Sequence, residues 1–190
     1  WQERLREWSV HSSEEALLKV QNFFSYRFLF GDEALHSTFE DVIKDQLRSS
    51  KILLVRLAQV EKAKPVPVLH SSIRSILGLD RKTVSIKKDI LFPFHHALQI
   101  LNAAHGNTSG STRGKLDYLK EKGSISSEFA EELSEAFQEL MKLYIDLKRK
   151  DQGDTVHLSS LSTLKKESLY RSVKTIREFQ QMMLSHYSLT

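Results

Sequence analysis

The sequence predicts a mainly helical, all-α protein: an antiparallel bundle of four to six helices with a small β-hairpin appended. Three observations carry that reading. Seven glycines and three prolines in 190 residues leave long stretches without helix breakers. Apolar residues recur at steps of three and four over most of the chain. A single stretch, about 72–90, carries β-rich pieces on both sides of a turn-like sequence.

The elements follow in order. Ser12, Ser13, Glu14 and Glu15 open a helix whose Leu17, Val20, Phe24 and Phe28 share a face as far as Phe30, where Gly31 and Asp32 break it. A longer helix is predicted over 33–62, with Leu35, Phe39, Ile43, Leu47, Leu54 and Leu57 on its apolar side. Pro65 and Pro67 end helical structure. The pieces SIRSIL and KTVSIKK around Gly78-Leu79-Asp80-Arg81 give the hairpin at about 72–90, which must lean on helices because two strands alone are marginal. Pro93 suits the first turn of a third helix reaching His105, with Leu98 and Leu101 inward. After the loop from Gly106 to Thr112 comes a short fourth helix, with Leu116 and Leu119 as its buried side and Gly123 as its stop. Ser126 caps a fifth helix, faced by Phe129, Leu133, Phe137, Leu140 and Leu147; Ser162 caps the last, where Leu169, Val173, Ile176, Met183 and Tyr187 repeat. Four long amphipathic helices each need a partner face, and an antiparallel bundle supplies it.

The totals exclude several classes. There is no cysteine, hence no disulfide and no thiolate metal site. No apolar run reaches the roughly 20 residues that span a bilayer, and no signal peptide opens the chain; a cytoplasmic protein without membrane contact is expected. The net charge is +4, but the signs are interspersed except at Lys148-Arg149-Lys150. That run closes a predicted helix, where cations suit the negative end of the dipole, so nucleic acid is not an expected partner. The chain starts at Trp1 rather than Met and is expected to be cut from something longer, with Trp1 and Trp8 on one face of a connector over 1–10.

The chemistry is defined first by what is missing. No two acidic residues stand two positions apart. A strand holds Mg²⁺ and nucleotide phosphates with such a pair, because positions i and i+2 share a face. Gly110-Ser111 is followed by Asp117 alone, and no P-loop or Gly-x-Ser-x-Gly elbow occurs. His95 and His96 are adjacent and diverge on a helix, and His105 is ten residues past His95, so no metal site is expected. No catalytic residue is assigned. Of the aromatics Phe23, Phe24, Tyr26, Phe28 and Phe30, two or three share a helical face and read as core, and the remainder as a surface that packs against a missing domain.

Five stretches look familiar in this order and spacing: Trp1, Leu5 and Trp8; FFSYRFLFGD from Phe23 to Asp32; VSIKKDILFP from Val84 to Pro93; STRGKLDYL from Ser111 to Leu119; and LSSLSTLKKESL from Leu158 to Leu169. Together they resemble the putative nucleotidyltransferase substrate-binding domain family, over nearly the whole chain. That domain follows a nucleotidyltransferase domain similar to the one in bacterial protein-PII uridylyltransferases, in signal-transduction proteins. The resemblance implies a helical substrate-binding domain over 11–190, after a connector from a missing N-terminal catalytic domain. Mg²⁺ and a nucleoside triphosphate would be bound by that missing domain, and no cofactor by this chain. The implied partners are the catalytic domain of the same chain and an unidentified acceptor.

Arg27, Gly31, Asp32, Lys87, Pro93, Thr112 and Arg113 keep the types expected of the family, whereas Ser25, Ser85, Ile90, His96 and Gln99 depart from them. The implied substrate site is Arg27, Asp32, Lys87, His96, Thr112 and Arg113: cations for an anionic group, with backbone donors at the start of the fourth helix. Asp32 orients Arg27, caps the second helix, or does both. The departures support an alternative, a non-catalytic helical module for protein interaction or homodimerisation.

Overall fold

The computed structural model describes residues 2–10, 13–23, 26, 28–49, 51–69, 82–151 and 153–189. Among them are eight α-helices: α1 (Gln2–Val10), α2 (Glu14–Phe23), α3 (Glu33–Ser49), α4 (Lys51–Lys62), α5 (Phe92–Ala104), α6 (Thr112–Glu121), α7 (Ser127–Arg149) and α8 (Thr163–His186). Two three-residue strands, β1 (Thr83–Ser85) and β2 (Thr155–His157), pair antiparallel with Val84 opposite Val156. The protein is therefore mainly α with a small two-stranded antiparallel sheet, as the sequence predicts. The chain divides into two compact units, Trp1–Ala63 with His96–Ile125 and Met183–Thr190, and Lys64–His95 with Ser126–Met182.

In the first unit α1 packs on α2 and α3, and α4 receives both α2 and α3. Leu5, Val20, Ile43, Leu53, Leu57 and Leu98 are buried at its centre. Each such side chain contributes about 1.5–3 kcal/mol through its removal from water. Buried beside them, Gln21 and Gln99 satisfy each other: Gln21 Nε2 donates to Gln99 Oε1 at 3.1 Å.

One sequence expectation changes here. The helix predicted to run to Phe30 ends at Phe23. Tyr26 forms an isolated parallel bridge with Ser109 instead, and its hydroxyl donates to Glu40 Oε1 at 3.2 Å. The aromatic run FFSYRFLF is β-prone, and once it leaves the helix its side chains lose their common face. Phe28, Leu29 and Phe30 are exposed rather than core, Phe30 at 88%. α3 and α4 together cover the helix predicted over 33–62, and Ser50 between them lies outside the described residues.

The second unit centres on an aromatic cluster. Phe94 lies 5.6 Å from Phe179 and 5.7 Å from Phe137, ring centre to ring centre, and Phe129 lies 6.4 Å from Phe179. Ser126 caps α7 by accepting from Phe129 N at 3.1 Å, as the sequence predicts. Lys148 and Arg149 occupy its last turn.

Only part of the predicted hairpin lies among the described residues. Its first arm, SIRSIL, and its turn lie outside the described residues. The second arm supplies β1, whose partner is β2, a strand some 70 residues further along the chain. Thr-Val-His at 155–157 is too short to show period-two alternation, so the sequence gives no sign of it. The second arm also stops early: Ile86–Leu91 form a π-helical turn that runs into α5. Pro93 supplies a reason. It has no N–H to offer and its ring crowds the carbonyl four residues back, so a regular α turn cannot precede it. The wider turn, in which Phe92 N donates to Lys87 O, relieves that crowding.

Beyond Lys62 the chain has no regular secondary structure from Pro65 to Leu69. Gln180 of α8 holds it there: its Oε1 accepts from Val66 N at 2.8 Å and its Nε2 donates to Lys64 O at 3.0 Å.

Candidate functional site

The residues singled out in the sequence have distinct surroundings. Arg27 lies outside the described residues. Asp32 Oδ1 accepts from Ala34 N at 2.8 Å and from Leu35 N at 3.0 Å, so Asp32 is the N-cap of α3. We expect Asp32→Ala to cost about 1 kcal/mol in stability and Asp32→Ser to cost much less, because serine also caps. Equal losses in chemical denaturation would show that the carboxylate matters for another reason.

Lys87 belongs to the π-turn, with its ammonium 5.2 Å from the centre of the Phe92 ring. His96 Nδ1 lies 2.6 Å from Oε1 of Glu61, a carboxylate that is 2% exposed on α4. A buried carboxylate requires such a partner, so His96 answers a charge in the core of the first unit. Thr112 and Arg113 form the first turn of α6, half-buried and exposed respectively. Ser111 caps that turn by accepting from Gly114 N at 3.1 Å. Lys87 belongs to the second unit, and Asp32, His96, Thr112 and Arg113 to the first.

Positions that depart from the family pattern serve structure. Ile90 is fully buried, and Gln99 completes the buried amide pair with Gln21. Ser85 Oγ donates to Asp154 Oδ2 at 3.0 Å and accepts from Lys88 N at 3.0 Å, which ties the start of the π-turn to the residue before β2. Ser25 lies outside the described residues.

A cleft of about 820 Å³ lies within the second unit, between the C-terminal turns of α7, strand β2 and the N-terminus of α8. Its size falls in the range of small-molecule sites. Leu143, Leu147, Val156 and Leu161 supply apolar lining; Asp146, Lys150, His157, Ser160, Ser162 and Lys165 supply polar groups. Ser162 O accepts from Lys166 N at 2.9 Å, which makes Ser162 the N-cap position of α8. The first N–H groups of α8 have no acceptor within their own helix, and Ser162 and Lys165 of this first turn line the cleft, which sets the positive end of the dipole beside it. Two lysines against one aspartate make the lining net cationic. A phosphate or carboxylate suits such a place by charge and by donor geometry.

The sequence signals for this cleft are present but point elsewhere first. Lys148-Arg149-Lys150 reads as a helix end, which it is, while Lys150 also reaches the cleft. LSSLSTLKK reads as a helix start, which is also correct. What the sequence does not offer is β2, the element that brings His157 opposite both.

Among the described residues no three metal-binding side chains converge. None of the described helices is long and apolar enough to cross a membrane. No curated protein and no solved structure matches the chain. Residues 51–187, more than two thirds of the sequence, match the model of the family described as putative nucleotidyltransferase substrate binding domain, and the chain belongs to that family.

Proposed function

We propose that this chain binds and positions the acceptor substrate of a nucleotidyl transfer whose catalytic carboxylates, Mg²⁺ and nucleoside triphosphate reside in a separate catalytic domain. The observation that carries the reading is the family match over 51–187, which contains the whole cationic cleft of the second unit. Lys87, His96, Thr112 and Arg113 also fall inside that match, whereas Arg27 and Asp32 precede it.

In this reading the share of catalysis that belongs to the chain is positional. An acceptor hydroxyl or amine must be held in line with an α-phosphate, and fixing it so removes much of the entropic barrier. An anionic group on the acceptor is held by Lys150, Lys165 and the donors that open α8, while the apolar wall at Leu143, Leu147 and Val156 takes its carbon skeleton. A metal bound by the separate catalytic domain would supply charge neutralisation at the transferred phosphate, and this chain's residues would hold the acceptor. A uridylyl donor and a bacterial, cytoplasmic signalling role accompany this reading.

The test is a thermal-shift and calorimetric screen of phosphorylated and carboxylated metabolites on the 190-residue chain. A ligand that stabilises the protein is expected to lose about tenfold or more in affinity in Lys150→Gln/Lys165→Gln, with helicity unchanged. Unchanged affinity in that variant would remove the cleft from the site, and loss in Lys87→Gln or Arg113→Gln instead would transfer it to those cations. The alternative, a non-catalytic interaction or homodimerisation module, is favoured if no small molecule shifts the melting temperature while the mass in solution rises with concentration.

A further inference from the structure

We propose a second anion site in the second unit, one that takes a linear polyphosphate group. A cavity of about 470 Å³ lies between the segment at Pro67 and Val68 and one side of α8, where Tyr170, Arg171, Lys174 and Arg177 line it. Among the described residues no carboxylate lines it. None of its residues is shared with the cleft at the start of α8.

The cations are arranged as a ladder. They stand at intervals of three residues on one helix, about 4.5 Å of axial rise apart, so three of them cover about 9 Å. A single phosphate would engage one or two; a di- or triphosphate engages all three. Arginine is the residue suited to such oxygens, because its planar fork makes paired hydrogen bonds.

The Arg177 side chain is half-buried, and its Nε is shut off from water with no hydrogen-bond partner. A buried N–H of a charged group without an acceptor is costly, and an incoming phosphate oxygen would satisfy it. Among the described residues no acceptor pairs with the guanidinium of Arg171 either. Lys174 has a loose partner in Glu178 at 3.7 Å, both exposed, an arrangement that costs little to break.

The opposite wall is fixed in advance. Gln180, on the same helix as the cations, fastens Lys64 and Val66 by two hydrogen bonds, and two prolines stiffen the strand of chain that follows. The cavity therefore needs little reordering to accept a ligand, which favours binding.

Inorganic tripolyphosphate is the probe, titrated calorimetrically into the chain at low ionic strength, with sulfate at matched ionic strength as control. Saturable binding at one equivalent is expected, weakened about tenfold or more in Arg171→Gln/Arg177→Gln. Lys51→Gln, an exposed position in the first unit outside both cavities, serves as the contrasting variant and retains the wild-type affinity; a loss confined to Lys150→Gln/Lys165→Gln would place the binding in the acceptor cleft and overturns this site. UTP then distinguishes a nucleotide from an inorganic chain: tighter binding than tripolyphosphate means the base is also held. Absence of saturable binding to the wild-type chain, equal competition by sulfate, or an unaltered affinity in the double arginine variant each overturns the site. Should that variant melt early, Lys174→Gln, an exposed position, decides the matter through a loss of about threefold or more, and an unaltered affinity there overturns the site equally.

Discussion

Phe179→Ala is expected to destabilise the protein by about 3–5 kcal/mol, at the top of the range for a single core truncation. Phe179 is fully buried on α8 and lies within ring-contact distance of Phe94 and Phe129. Truncation removes the transfer energy of a phenyl ring and leaves a void whose lining loses its dispersion contacts. The edge-on arrangement with Phe94, an interplanar angle of 61°, adds about 0.5–1.5 kcal/mol that no aliphatic replacement recovers. Phe179→Leu should therefore fall between the two, and urea denaturation of the three proteins checks the order. The consequence extends to ligand binding. Gln180 follows directly in the chain and holds the 64–66 segment. A repacked Phe179 site shifts that glutamine and weakens tripolyphosphate binding without touching a cation. Retained affinity in Phe179→Leu would show that the Gln180 clamp is independent of the core beneath it.

How far the sequence leads can be judged from particular residues. The long helices are legible because helical periodicity and capping agree there: Leu133, Leu140 and Leu147 are buried on α7, Ser126 caps it, and Asp32 caps α3. The aromatic stretch from Phe23 to Phe30 misleads, because its spacing suits a helix face while its composition suits extended chain. Tertiary contacts settle the matter: Tyr26 is drawn to Ser109 and Glu40, partners far away in sequence. The β1–β2 pairing has the same character. A three-residue strand has almost no local signal, and its partner lies some 70 residues away. The site is legible only in part. Each cation can be recognised as one, but which cations share a cavity depends on those long-range pairings. His96 illustrates the limit, since nothing near it in sequence announces a buried Glu61 35 residues earlier.

Lys115→Met is expected to stabilise the protein by about 2–3 kcal/mol at pH 7. Lys115 lies on α6 within the STRGKLDYL stretch, and only 2% of its surface is exposed. Burial pushes its pKa down from 10.5 to about 8, and among the described residues no acceptor pairs with its ammonium. Lowering a lysine by that much corresponds to about 3 kcal/mol against the charged form, an upper bound because water and small rearrangements relieve part of it. The direction with pH follows from the protons bound. Below about pH 8 both the folded and the unfolded protein carry the charge, and folding bears the whole penalty. Between about 8 and 10.5 the unfolded chain binds more protons than the folded one, so stability rises with pH; above 10.5 both are neutral and the penalty is gone. Methionine keeps the length and the apolar stem without the charge, so its advantage is full at pH 7 and vanishes near pH 10.5. The shift in melting temperature at pH 7 should be about 4–12 °C upward. A methionine variant that melts lower than wild type at pH 7, and stays lower as the pH rises, would mean that the amine is held by an acceptor. Lys115 would then join Thr112 and Arg113 as a binding group at the start of α6, and the substrate site would belong to the first unit rather than to the cleft of the second.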